Sequence, residues 1–184
     1  MTRAKLAIPL LLLMAVGAVA QQHRHDPLTD LEIDKIRDSA QEPEVRLKLY
    51  IEFARTRLDK LQQVWADPKA ADRNQQTHDA LQDFLDVYDE LNTNVDTFAD
   101  RGDDLRKALK PVIEADTEFG SKLRAFKSSL SATLASASDF TFLLGTALET
   151  IDSGAKDHRD LLAEQEETFK HKKKDKKQQA KGGG

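Results

Sequence analysis

The sequence predicts an all-α fold, an elongated antiparallel up-and-down bundle of about four long helices preceded by a short N-terminal helix. Two observations lead to this prediction. Apolar residues recur at steps of three and four along most of the chain, which is the spacing of one helix face. No stretch of any length shows the every-second-residue alternation of a half-buried β-strand. Because the breaks between the periodic stretches are short, consecutive helices are expected to be antiparallel neighbours.

The first twenty residues have the form of a secretory signal peptide. A basic start is followed by an apolar run over 6–16 and by the A-x-A sequence of residues 18–20. Cleavage is therefore expected between Ala20 and Gln21, and the mature protein is expected to be secreted or periplasmic. No later apolar stretch reaches the roughly 18 residues that a membrane span needs, so no transmembrane segment is predicted in the mature chain.

The mature chain is expected to begin with a flexible lead-in and a short helix. Residues 21–27 are polar and show no periodicity. Thr29 and Glu32 then have the spacing of a capping box, in which the threonine caps the first turn and the glutamate reaches back to the threonine backbone. The sequence predicts a helix from this box to about Ala40.

A long second helix is predicted from Pro43, because proline suits the first position of a helix. Its apolar residues alternate steps of four and three, as in the heptad seam of a coiled coil. The seam consists of Leu47, Ile51, Ala54, Leu58, Leu61 and Trp65. Asp67 and Pro68 are expected to end this helix and to start the next one, as its N-cap and its first residue.

Residues 69–135 keep helical periodicity throughout and predict either one bent helix or two. Their apolar seam consists of Thr77, Leu81, Phe84, Tyr88, Leu91, Val95, Phe98, Leu105, Leu109, Val112, Phe119, Leu123, Phe126 and Leu130. Two helices are favoured because Gly102 suits the residue after a helix end, with Asp103 or Asp104 as the next N-cap. Pro111 adds a second interruption, which costs about 3 kcal/mol inside a helix.

A final helix is predicted after a corner of small polar residues over 136–138. Its apolar face continues to Phe169, and Gly154 is expected to weaken it locally. The helical bundle domain is therefore expected to cover 28–169. Residues 170–184 are predicted to be a disordered lysine-rich tail.

Charge is distributed unevenly between this body and its tail. Residues 21–169 contain 19 lysines and arginines against 31 acidic residues, a balance of −12, whereas 170–184 contain seven lysines and one aspartate, a balance of +6. The tail is expected either to solubilise the chain or to make weak, salt-sensitive contact with an anionic surface of the cell envelope. The lysines assigned to this contact are Lys170, Lys172, Lys173, Lys174, Lys176 and Lys177. Nucleic acid is not expected as a partner, because the body is acidic and the tail has no aromatic residue.

The residue types that catalysis needs do not form a recognisable set. The chain has no cysteine, and both methionines lie in the predicted signal peptide. The sequence also lacks G-x-S-x-G, H-E-x-x-H, a phosphate-binding glycine loop and the E-x-x-H pair of di-iron helical bundles. The protein is therefore expected not to be an enzyme and to hold no cofactor.

Two groups of polar residues on the predicted helices are assigned to the surface. His78 and His158 stand alone on separate helices, and each is expected at the surface or its boundary rather than as a buried ligand. A row of carboxylates opposite the seam is predicted to be a solvated face, with weak divalent-cation binding or a cationic partner as the alternative. This row consists of Asp79, Asp83, Asp86 and Glu90.

The predicted mature N-terminus offers one candidate metal site. Cleavage before Gln21 places His23 third from a free amine. A terminal amine, two amide nitrogens and an imidazole form the square-planar nitrogen set that suits Cu(II) or Ni(II), and His25 adds a further donor. The alternative is that Gln21 cyclises and removes the amine.

Two resemblances support the compartment and the fold. The stretch from Leu28 to Leu61, especially RLKLYIEFARTRLDKL, resembles a segment of exported helical bacterial proteins that have no assigned function. The start of that stretch, LTDLE followed by IRD, is similar to the LTxxQ motif of small periplasmic helical chaperones. This chain has Glu32 where that family has glutamine, and it carries one copy of the motif.

Three functions follow from these observations. The first is a non-enzymatic structural or protein-interaction module of the cell envelope, with a protein partner or self-association. The second is a periplasmic holdase-like chaperone or metal-stress protein, which the LTxxQ-like motif implies. An enzyme of unrecognised type is the third, and the missing catalytic motifs make it the least favoured.

Overall fold

The computed structural model describes residues 26–132 and 140–182, with side chains over 26–130 and 140–171. Every regular element within these ranges is an α-helix, so the all-α prediction is confirmed. The elements are α1 (Asp30–Asp38), α2 (Pro43–Ala66), α3 (Arg73–Asp100), α4 (Leu109–Ala132) and α5 (Phe140–Gly182). The predicted signal peptide, the two histidines at 23 and 25 and the predicted corner at 136–138 lie outside the described residues.

The four long helices form two antiparallel hairpins, α2–α3 and α4–α5, that pack side by side. In the first hairpin, Arg46 near the start of α2 donates to Asn94 near the end of α3, with 2.6 Å between Nε and Oδ1. In the second hairpin, Arg124 near the end of α4 pairs with Asp152 of α5. The short connections thus produce the antiparallel neighbours that the sequence predicts within each hairpin.

The hairpins meet through parallel helices, with α2 beside α4 and α3 beside α5. Arg55 of α2 binds Glu118 of α4 at 2.8 Å. Four residues further along each helix, Asp59 binds Lys122 at 2.9 Å. Because both partners advance together, α2 and α4 run in the same direction.

Consequently α3 and α4 lie diagonally across the core, which differs from the predicted arrangement in which successive helices are neighbours. The ring of Phe119 on α4 meets Phe84 and Tyr88 of α3 there, with centroids 5.5 Å and 6.4 Å apart. The physical reason is the connection over 101–108, whose eight residues take the chain across the end of the bundle. Helix direction still alternates along the chain.

The predicted seams form one continuous core. Residues of α2, α3, α4 and α5 that lie on those seams are buried together, and Trp65 packs edge-to-face against Phe126 and Phe140 at one end of the bundle. The largest fully buried side chains are Tyr50, Phe84, Tyr88, Phe98, Phe119 and Phe140. Aromatic rings therefore fill the space between the two hairpins.

Helix α1 is held against α2 by the predicted capping box, which is confirmed. Thr29 Oγ1 accepts from the backbone N–H of Glu32, and the Glu32 carboxylate accepts from the backbone N–H of Thr29 at 2.8 Å. The same carboxylate receives a bidentate pair from Arg57 of α2, at 2.8 Å and 2.6 Å. This second role of Glu32 requires a carboxylate, because guanidinium and carboxylate match in shape and charge.

Gly102 follows the end of a helix as the sequence predicts, whereas Asp67 does not have its predicted role as an N-cap. Gly102 adopts a φ of +77° after α3, where the N–H of Asp103 reaches the carbonyl of Phe98 at 3.1 Å, as in a Schellman motif. Asp67 is not an N-cap: it follows the end of α2, and its side chain accepts from the N–H of Lys69 in a turn. The next helix starts only at Arg73.

Pro111 does not break α4, because it is the third residue of the helix. The first N–H groups of a helix have no partner within it, so the missing N–H of proline costs nothing there. The two-helix alternative is thus confirmed, with α4 beginning at Leu109 rather than directly after Asp103 or Asp104. Asp104 instead accepts from the N–H of Arg106 in the preceding turn.

Helix α5 continues to Gly182, whereas the sequence predicts a disordered tail from 170. Lysine, glutamine and alanine are good helix formers, and no proline or glycine interrupts residues 170–181. None of the described helices contains an apolar stretch long enough and sufficiently uncharged to cross a membrane.

Candidate functional site

A polar network of three side chains lies inside the apolar core. Asp116 of α4 accepts from the hydroxyl of Tyr88 on α3 at 2.8 Å and lies 2.9 Å from Nδ1 of His158 on α5. The side chains of Asp116 and His158 are 0% and 4% exposed. The network joins the three helices α3, α4 and α5 at one point.

Gly154 provides the space that this network needs. It lies on α5 four residues before His158, and a Cβ built on it would be 2.4 Å from the hydroxyl oxygen of Tyr88. Tyr88 itself is fully buried, so moving its ring away from a new Cβ would disturb its neighbours Phe84 and Phe119 in the core. Glycine at this position therefore has a packing role, beyond the local weakening of α5 that the sequence predicts.

The electrostatics of the core keep Tyr88 protonated. Burial, reinforced by the neighbouring Asp116 carboxylate, raises the pKa of Tyr88 well above its ordinary value of about 10. The hydroxyl therefore remains a hydrogen-bond donor at all physiological pH values. Loss of this donor would destabilise the fold, because a buried carboxyl group that lacks a hydrogen-bond donor has lost its contacts with water without replacing them.

His158 also faces a groove of about 660 Å³ between α3 and α5. Its Nδ1 is occupied by Asp116, and among the described residues no hydrogen bond reaches its Nε2. The groove is lined by Asn92, Val95, Asp96, Ala99, Asp100, Thr150, Ser153, Gly154, Asp157, His158 and Leu161. His158 therefore belongs both to the network in the core and to the wall of a surface groove.

The other polar groups of the groove are three carboxylates, two hydroxyls and one amide. Asp96, Asp100 and Asp157 are exposed along its sides. The side-chain oxygen of Asn92 is buried and has no hydrogen-bond partner within 26–132 and 140–182. No lysine or arginine lines the groove, so its charge is negative throughout.

Among the residues that the structure describes, no nucleophilic side chain forms a hydrogen bond with His158. A histidine oriented by a carboxylate resembles half of a catalytic triad, but a triad also needs a nucleophile hydrogen-bonded to the other ring nitrogen. Ser153, the nearest serine of the groove in sequence, instead donates to Asp157 at 3.4 Å. In the described part of the chain, no group of three or more histidine, aspartate or glutamate side chains is placed to hold a metal ion.

Of the two histidines assigned to the surface, His158 is wrongly assigned and His78 is correctly assigned. His78 is 38% exposed and lies 3.5 Å from Asp79. His158 is buried because α5 directs it toward Asp116 on the neighbouring helix α4, which also accepts from Tyr88 of α3. A sequence signal does exist, since Asp116 follows Val112 by four residues and precedes Phe119 by three, which places a carboxylate on an apolar seam.

The acidic row of α3 is only partly solvated. Asp79 and Glu90 are exposed. Asp83 is 21% exposed and lies 3.6 Å from Lys60 of α2, while Asp86 accepts from Gln82 at 2.7 Å. The row therefore contributes to the contact between α2 and α3, and it offers no convergent set of ligands.

The lysines of the predicted tail lie at the far end of α5. Lys170 pairs with Glu167 at 2.7 Å, and the helix backbone carries the other lysines beyond the bundle.

Comparison with known protein families, with characterised proteins and with solved structures finds no match to this chain.

Proposed function

We propose that this protein is an exported, non-enzymatic interaction module of the cell envelope that contacts an anionic surface through the basic extension of α5. The predicted signal peptide supports the compartment. The lack of a nucleophile hydrogen-bonded to His158 among the described residues supports a binding role. The observation that carries the proposal is the length of α5.

Helix α5, with 43 residues, is longer than the helices that it packs against. Near the end of the part of α5 whose side chains are described, Gln165 accepts from the N–H of Leu105 at 2.8 Å, and the ring of Phe169 lies 4.0 Å from the guanidinium carbon of Arg106. The helix then continues over 170–182, which at 1.5 Å per residue is about 20 Å.

This separation matters because the body and the extension carry opposite charge. The body has a balance of −12 and would repel an anionic surface, whereas 170–184 has a balance of +6. At physiological salt the electrostatic potential decays over about 8 Å. Along the helix axis, Lys176 and Lys177 lie roughly 10–12 Å beyond Phe169 and so outside this distance, whereas the lysines up to Lys174 lie within it. Each lysine near a charged lipid surface contributes about 1 kcal/mol, and several together give measurable binding.

Vesicle co-sedimentation tests this proposal. The exported chain is compared with a version truncated after Phe169 and with a full-length version in which Lys172, Lys173, Lys174, Lys176 and Lys177 are replaced by glutamine. Only the unaltered chain should be retained on vesicles rich in anionic lipid at low salt, and retention should fall as salt is added. Neutral vesicles should retain none of the three.

The glutamine version is the sharper control, because it keeps the length and helix propensity of the extension. Equal retention of all three proteins on anionic vesicles would contradict the proposal. Salt-sensitive self-association of the unaltered chain, without vesicle binding, would instead identify a second copy as the anionic surface.

A further inference from the structure

Two arginines of α2 hold the two ends of α1. Arg57 binds the carboxylate of Glu32 at 2.6 Å and also donates to the carbonyl of Pro27, just before the helix begins. Arg46 donates to the carbonyl of Ile36 at 2.7 Å, near the end of the helix. Among the described helices, α1 packs against α2 alone. Helix α1 therefore lies antiparallel along α2, across the face between these two arginines.

Two aromatic side chains lie on the face of α2 that α1 covers. Tyr50 and Phe53 lie between the two arginines at steps of four, three and four residues, so all four share one helix face. The guanidinium carbon of Arg46 lies 5.9 Å from the centre of the Tyr50 ring, and the rings of Tyr50 and Phe53 meet edge-on at 6.4 Å. Only 2% of Tyr50 and 5% of Phe53 is exposed. Removal of α1 would therefore uncover aromatic surface on α2.

Helix α1 buries little apolar surface of its own. Ile36 is its one buried hydrophobic residue, whereas Leu31 is 75% exposed. A helix of nine residues is not stable in water by itself, so its contacts with α2 keep α1 helical. The side chains of the ion pair between Arg57 and Glu32 are 10% and 12% exposed, and the cost of taking both charges out of water offsets much of their attraction. Helix α1 is therefore expected to open more readily than the four long helices.

Acid removes the interaction that holds the N-terminal end of α1. Burial raises the pKa of Glu32, but its hydrogen bonds with Arg57 and Thr29 together lower the pKa below its ordinary value. Arg57 is the charged residue of α2 that acts on this carboxylate, whereas Lys60, one turn further along α2, lies 3.6 Å from Asp83 of α3. Once Glu32 is protonated, the guanidinium has no opposite charge beside it and regains its solvation only when α1 leaves.

We propose that α1 is an acid-released strap, which detaches from α2 when Glu32 is protonated and uncovers the face of Tyr50 and Phe53 while α2–α5 stay folded. Arg57 becomes exposed to water when α1 leaves, so opening does not leave its charge buried without a partner. The core of the four long helices keeps its own contacts, because Ile36 is the one residue of α1 that belongs to it. The strap acts independently of the basic extension of α5.

Hydrogen exchange of the exported chain, followed by NMR, tests whether α1 opens by itself. At neutral pH the amides of α1 should exchange at least about tenfold faster, relative to their intrinsic rates, than the slowest amides of α3. Low concentrations of urea should accelerate exchange in α3 and leave it nearly unchanged in α1, because a local opening exposes little surface. Equal protection and equal urea dependence in the two helices would overturn the proposal, since α1 would then open only with the whole bundle.

Two substitutions on α1 test the acid trigger. Glu32→Gln imitates the protonated acid, so protection in α1 should fall by about tenfold or more at neutral pH. Asp34→Asn is the matched control, because it removes the same charge from the exposed side of α1, where Asp34 pairs with Arg37 of the same helix. Its effect should stay below about threefold. Acidification to about pH 3 should lower the protection of α1 more in the original chain than in the Glu32→Gln protein, and an equal acid effect in both would contradict the role of Glu32.

Dye binding tests whether the opened strap uncovers the aromatic face of α2. Glu32→Gln/Ile36→Asp should detach α1 in the full-length exported chain and raise the emission of the apolar dye ANS. The control Asp34→Asn/Leu31→Asp alters exposed positions of the same helix and should not raise it. Trp65, the single tryptophan, packs against the core and should keep its emission in both proteins. Unchanged dye emission in the first protein, or altered Trp65 emission, would contradict a face that opens while the bundle stays folded.

Discussion

Substituting Gly154 by alanine should destabilise the bundle, although alanine is the better helix former. Inside a helix the exchange by itself gains about 1 kcal/mol. Here the new Cβ would lie 2.4 Å from the hydroxyl oxygen of Tyr88 and 3.2 Å from the ring carbon that bears it. Overpacking of this kind costs about 1–3 kcal/mol. If Tyr88 moves, Asp116 loses a donor in the core, which costs a further 1–3 kcal/mol or so.

The sum is a net loss of about 3 kcal/mol in the free energy of unfolding, measured by urea denaturation followed by circular dichroism. Gly145→Ala on the same helix is the matched control, because nothing lies within 4 Å of its added Cβ. It should gain up to about 1 kcal/mol. A Gly154→Ala protein as stable as the Gly145→Ala protein would refute the packing argument.

A double substitution separates the hydroxyl clash from other effects. Tyr88→Phe removes the atom nearest to the added Cβ, so Gly154→Ala should cost less in the Tyr88→Phe background than in the original chain. The two ring carbons at 3.2 Å and 3.3 Å remain close, so the rescue should be partial. If the losses of stability caused by Gly154→Ala and by Tyr88→Phe are simply additive, the strain does not come from the hydroxyl of Tyr88.

Three further predictions follow from buried groups. Leu81→Asp places a charge in the core and should cost several kcal/mol, whereas Leu31→Asp, at a position that is 75% exposed, should change the melting temperature little. Stability should fall as pH rises above about 10, because the folded state holds the Tyr88 proton more tightly than the unfolded state, and Tyr88→Phe should reduce that fall in alkaline denaturation. Burial raises the pKa of Glu32, but its hydrogen bonds with Arg57 and Thr29 together lower it below the usual value. Its stabilisation should therefore disappear as pH falls below about 4, and Glu32→Gln should cost about 2 kcal/mol at neutral pH and remove that acid-side loss.

Local signals in the sequence predict local structure well in this chain. The capping box at Thr29 and the start of α2 at Pro43 both depend on residues within one turn of each other. The left-handed Gly102 at the end of α3 is of the same kind. Each of these features is decided by the backbone chemistry of a few adjacent residues.

The placement of helices across the core could not be predicted in this way. Whether α3 packs beside α4 or diagonally opposite to it depends on how two finished hairpins dock, and the periodic seams are compatible with both arrangements. The burial of the His158–Asp116 pair depends on that docking, because Tyr88, which donates to the same carboxylate, lies on α3 in the other hairpin. Asp116 on an apolar seam indicates a buried polar contact without identifying its partner.

The extension of α5 illustrates a different limit. Charge composition alone predicts disorder for 170–184, because seven lysines repel each other. The same residues are good helix formers and directly follow a helix that is already nucleated by its packing, so continuing it costs little. Composition therefore identifies the basic segment and its charge, while its shape depends on the helix before it.

Fluorescence from single engineered cysteines tests the proposed contact most directly, since the chain contains no cysteine of its own. One protein carries an environment-sensitive dye at Ala180→Cys in the extension, and the other carries it at Asp79→Cys on the exposed surface of α3. On anionic vesicles at low salt, the Ala180→Cys emission should shift to the blue and return when salt is added, while the Asp79→Cys emission stays constant. An equal shift at both positions, or a shift at Asp79→Cys alone, would contradict the proposal that the basic extension of α5 is the contact surface.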